Sequence, residues 1–183
     1  MNKAVKISII SIIVLVIVGF AGWEILKSST RKHSPLDVAE LRSGDLEIDV
    51  TYCQPYKKGR LIFGDTAEGA LQPYGQYWRL GANEATTFKV NRDILFANKP
   101  LKKGEYSMYA IPGEDMWVIA INAATGQWGA WEPNYDEDVL RVEVPVDYTD
   151  DIVEQLTIGF EPNAGTMYMV IRWDTSVAKV TID

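Results

Sequence analysis

The fourteen residues from Pro73 to Thr86, PYGQYWRLGANEAT, hold the densest mixture of groups in the chain that could hold a polar molecule. Tyr74, Tyr77 and Trp78 offer ring faces for stacking, and Arg79, Asn83 and Glu84 offer hydrogen bonds, the combination that a sugar or similar ligand needs. The segment shows no alternation, and a long ordered loop inside a compact domain is often a functional one. A scaffold reading stands beside this: Arg79 pairs with Glu84 to close the loop while Trp78 plugs the core. Further on, Gln127-Trp128-Gly129-Ala130-Trp131 supplies a second aromatic pair. Trp128 and Trp131 form either a stacking platform or the cap of one end of the core.

Other polar clusters read more plainly. Asp136-Glu137-Asp138 lacks the glycine and carboxylate spacing of a calcium loop and reads as a solvated turn. Lys57, Lys58 and Arg60 could receive an anion, but a basic turn between two strands is the simpler reading. The only histidine is His33, near the N-terminal end, so the body has none. Ser-His-Asp and Cys-His mechanisms are excluded, as are histidine-bearing zinc, copper and non-haem iron sites. No glycine loop for phosphate is present, no motif calls for a cofactor, and no metal site is expected. Carboxylate chemistry survives, but it needs two acids across a bond, and Glu84 is the only acid in a suggestive stretch. Cys53 is the only cysteine, so no disulfide forms within the chain; it reads as a small, partly buried thiol.

These groups need a scaffold. From Leu46 the chain alternates, with Leu46, Ile48, Val50 and Tyr52 on one face and Glu47, Asp49 and Thr51 on the other, the period of a half-buried strand. Similar runs recur at 86–90, 94–96, 106–111, 116–122, 139–144, 156–160, 167–173 and 177–182. Turn chemistry such as Asn98-Lys99-Pro100, Pro112-Gly113 and Asn163-Ala164-Gly165 separates them. About nine short strands predict an all-β fold, an antiparallel β-sandwich or jelly-roll-like domain. The run 167–171 is apolar on both faces and should lie centrally. Pro35 to Leu41 could make one helical turn.

Ahead of the body, Lys3 and Lys6 precede an uncharged run from Ile7 to Trp23. The expected organisation is a cytoplasmic head over 1–6, a transmembrane anchor over 7–26, a polar tether over 27–36 and the β domain over 37–183. A cleaved signal peptide is the alternative, because Gly19-Phe20-Ala21 resembles a signal-peptidase site; apolar residues continuing to Leu26 favour the anchor. Either route places the body outside the cytoplasm, tethered in one case and secreted in the other. The whole chain carries a net charge of −7, and residues 34–183, with 13 basic and 24 acidic residues, carry −11. A body this acidic repels phosphate backbones, so no nucleic acid partner is expected, and the membrane is met through the N-terminal helix alone.

The stretches YGQYWRLGANEAT (74–86), LKKGEYSMYAIPG (101–113), QWGAW (127–131) and DVLRVEV (138–144) resemble domain-of-unknown-function family 2911, exported bacterial proteins. The resemblance runs from about Leu46 to the end of the chain. It implies an exported β domain without assigned activity and singles out Trp78, Arg79, Asn83 and Glu84. It also implies a cleaved signal where this chain carries an anchor-like run. The sequence thus predicts a non-catalytic, envelope-tethered β-sandwich binding a polar small molecule or glycan. The alternatives are a carbohydrate-active enzyme using Glu84 and Arg79, and a structural or assembly module of the envelope without a small ligand.

Overall fold

A computed structural model describes residues 2–129 and 131–183. The chain divides into two compact units, one up to His33 and one over Ser34–Asp183.

The first unit is a single helix, α1, Lys3–Arg31. It continues through half of the segment expected as a tether. Its part from Ile9 to Arg31, 23 residues, is long and apolar enough to cross a membrane by length and composition, and a signal sequence meets the same description. At 1.5 Å per residue that part spans about 35 Å, enough for a bilayer core. Its Ile and Val run has poor helix propensity in water, whereas a helix serves every backbone group where water is absent.

The second unit is an antiparallel β domain. Its strands are β1 (Leu36–Ser43), β2 (Leu46–Cys53), β3 (Phe63–Gly64), β4 (Gln72–Pro73), β5 (Thr86–Val90), β6 (Ile94–Phe96), β7 (Lys99–Leu101), β8 (Gly104–Ile111), β9 (Met116–Asn122), β10 (Asp138–Asn163) and β11 (Thr166–Ile182). Nine of them form one sheet in the order β1-β2-β5-β8-β9-β10-β11-β6-β7, and β3 and β4 pair separately. Phe88 on β5 meets Phe96 on β6 edge to face at 5.5 Å, although four strands stand between them in that order. The sheet therefore folds back on itself, and its two halves share one core, as a sandwich does.

Strand β10 makes the fold. Asp138–Pro145 pairs with β9, and Val146–Asn163 pairs with β11. Early in the second half the register against β11 slips twice, at Tyr148/Val153 and Val153/Thr157, and such irregularities bend a strand and increase its twist. The sequence runs 139–144 and 156–160 are thus one strand, as are 167–173 and 177–182. Val170 and its neighbours Met169 and Ile171 are buried on both faces, in the strand between β10 and β6.

The segment Pro35–Leu41 is not a helical turn. It enters β1, which pairs along its whole length with β2 across the turn at Gly44-Asp45. Ala39 and Leu41 face the core in alternation, and this pairing outweighs the weak local preference. At the centre of the core, Phe63, Trp78, Trp117 and Trp173 pack edge to face, tilted or stacked, with centroids 4.7–6.1 Å apart.

Candidate functional site

The stretch Tyr77-Trp78-Arg79-Leu80 continues the line of β5 beside β8. Trp78 and Ala110 exchange both backbone hydrogen bonds at 2.8 Å. Along this short run the side chains alternate: Trp78 and Leu80 are buried in the core, while Tyr77 and Arg79 are half-buried between them. The Tyr77 ring lies 5.4 Å from that of Tyr109 on β8.

After Arg79 the chain turns through two residues in the left-handed region, Leu80 at φ 52° and Asn83 at φ 61°. A bulky residue in this left-handed region is uncommon and needs surroundings that hold it. Thr86 supplies one clamp, its hydroxyl donating to the Leu80 carbonyl at 2.9 Å. Gly81 lies against the end of β2, where a Cβ would stand 3.0 Å from the Cys53 carbonyl oxygen.

The second aromatic motif zips onto this turn. The Ala85 amide donates to Gln127 at 3.3 Å, the Gly129 amide to Asn83 at 3.1 Å, and Glu84 pairs with Trp128 as an isolated bridge. The Tyr77 hydroxyl donates to the Gly129 carbonyl at 3.3 Å. The fold thus brings Arg79, Asn83, Glu84 and Trp128 together, with the buried Cys53 beneath them, its thiol 3.7 Å from Glu84 Oε2.

Three expected site residues lie apart from this niche or play another part. Trp78 belongs to the aromatic core. Tyr74 bonds Gly64 through its backbone, and burial, with Tyr148 and nearby acids adding, pushes its hydroxyl up to about 12. Trp131 is 71% exposed, its amide bonded to the Trp128 carbonyl.

Arg79 is the electrostatic centre of the niche. Among the described residues its guanidinium makes one long hydrogen bond, 3.4 Å to the Asn83 carbonyl, and no ion pair; the expected Arg79–Glu84 bridge is not formed. Burial holds its pKa below the ordinary arginine value, opposed by Tyr77 and Cys53. Burial in turn raises the Tyr77 hydroxyl. Arg42, Arg92, Arg141 and Arg172 by contrast each hold a carboxylate. Beside Arg79, Asn83 Nδ2 is buried without an acceptor.

A second polar network borders the niche. Tyr109 donates to Asp138 at 2.7 Å, Arg141 donates to Asp138 at 2.5 Å and to the Tyr109 oxygen at 2.8 Å, and Asn122 also binds Asp138. Arg141 lies 5.0 Å over the Tyr135 ring. Asp138 is thus a paired scaffold residue, while Asp136 and Glu137 sit exposed in a short 3-10 turn. Among the described residues no three of His, Cys, Asp and Glu come together. In the basic stretch, Lys57 pairs with Asp174 and Arg60 caps nearby carbonyls, so this is a turn built into the fold.

The sequence reading offered Tyr77 only as a stacking ring, without its bond to Gly129, and gave Cys53 and Gly129 no part in the site. The signal for the first was present: YWRL alternates polar and apolar faces in four residues, too short to register as a strand.

With the fold and niche in view, the family follows. A family model described as a protein of unknown function (DUF2911) matches residues 34–182, nearly the whole β domain, and the chain belongs to that family. No curated protein and no solved structure matches it.

Proposed function

We propose that the β domain is a non-catalytic binding module, held at the membrane outside the cytoplasm by α1, that takes a polar ligand at the niche of Arg79, Asn83, Glu84 and Trp128. A glycan is the foremost candidate. One observation carries this reading: Arg79 is half-buried with no carboxylate among the described residues. A charge withdrawn from water without a partner is costly, and such costs concentrate where a ligand later supplies the partner. Trp131, two residues beyond Gly129 in the chain, is exposed and offers a ring face for stacking.

The test uses the full chain in detergent micelles, titrated with neutral and acidic mono- and disaccharides and followed by tryptophan fluorescence. At least one sugar is expected to give a saturable change that Asn83→Ala removes. A panel that gives none sinks the reading and leaves the zipped loops as scaffold.

A further inference from the structure

The niche has a donor surplus that narrows the ligand class, granted that the niche is the binding site. A guanidinium offers five N–H donors and accepts nothing, and a side-chain amide nitrogen offers two more. Arg79 uses one of its donors, weakly, and Asn83 Nδ2 uses none among the described residues. The nearest backbone acceptors are already engaged: the Asn83 carbonyl by Gly129 and Arg79, the Gly129 carbonyl by Tyr77.

We infer that the ligand presents an anionic, acceptor-only group of the carboxylate class, received by the Arg79 fork with the Asn83 amide beside it. A neutral hydroxyl fits less well at Arg79 and Asn83, because each oxygen it offers brings a hydrogen needing an acceptor of its own, and the Glu84 carboxylate beside them already faces the Cys53 thiol. A carboxylate is planar and meets a guanidinium with two parallel hydrogen bonds. Phosphate fits less well for a different reason. The niche sets one cation, Arg79, beside the Glu84 carboxylate, and it belongs to a body of net charge −11, so a dianion gains little there and is repelled at longer range.

The experiment compares galacturonate with galactose, which share a ring and differ at the carboxylate, on the full chain in detergent at constant ionic strength. Acetate and phosphate serve as ring-free probes. Galacturonate is expected to bind at least about tenfold more tightly than galactose, the worth of one charge-assisted pair. Arg79→Met should abolish that preference while melting at or above wild type, and Arg79→Lys should restore part of it. Equal binding of the two sugars overturns the carboxylate assignment and leaves the binding module standing. Phosphate binding more tightly than acetate overturns it as well. Silence to every probe, with the neutral panel silent too, removes both readings.

Discussion

A methyl group on Gly129 would stand 2.7 Å from Arg79 Cδ and 2.9 Å from the Ala85 nitrogen. The first neighbour can swing aside; the second is backbone, held in its own hydrogen bond to Gln127. Gly129→Ala should therefore push the two motifs apart and destabilise the domain by about 1–3 kcal/mol, the usual cost of overpacking. Chemical denaturation measures this, and an unchanged midpoint would contradict the contact. The tyrosines give a second test at this scale. Burial raises Tyr52, Tyr77 and Tyr109, and lifts Tyr74 and Tyr135 to about 12. Unfolded tyrosines ionise near pH ~10. Between that value and their folded pKa these side chains stay protonated only in the native state, so their contribution is complete below pH ~10 and is lost as pH rises beyond it. The melting temperature should fall steadily over that window, and tyrosinate absorbance should lag behind that of the denatured chain.

Between elements, one hydroxyl joins the two halves of the sandwich. Tyr52 on β2 donates to the Ile158 carbonyl at 3.2 Å and accepts from the Ile158 amide at 2.9 Å on β10. Tyr52→Phe strips both partners in a buried setting and should cost about 1–3 kcal/mol, read from urea unfolding. Strands with unbroken alternation, such as β2 and β5, were legible in the sequence because burial on one face fixes their period. The continuity of β10 was not legible. Pro145 and the acidic run from Asp147 to Asp151 interrupt the apolar pattern where the strand bends between layers, and a bulge shifts the phase without ending the hydrogen bonds. Asp174, at φ 57°, hid the unity of β11 in the same way. The candidate site was half legible. The two motifs were visible in the string, but their mutual contact depends on Gly129 permitting close approach, which spacing does not reveal. The inferred Arg79–Glu84 bridge failed for a related reason: the backbone turns between the two residues in left-handed conformations that no local rule specifies.

For the whole molecule, the apolar α1 beside Lys3 and Lys6 sets the expected address. A phosphatase active only outside the cytoplasm, fused after Asp183, should be active, while a reporter active only inside should be silent; the reverse pattern would refute the exported body. The strand order carries a consequence for biogenesis. Among the described residues, β6 and β7 pair only with each other and with β11, and β11 also supplies Met169, Ile171 and Trp173 to the core. Residues 94–101 thus wait for residues 166–182 before their layer exists. The interval is closed at an entropic cost before any contact rewards it, the condition that slows folding. A nascent chain that has emerged only as far as β9 therefore has half a sandwich with an open apolar face. It cannot lock into its native form before β11 is made, so the domain stays open until its last strand is complete.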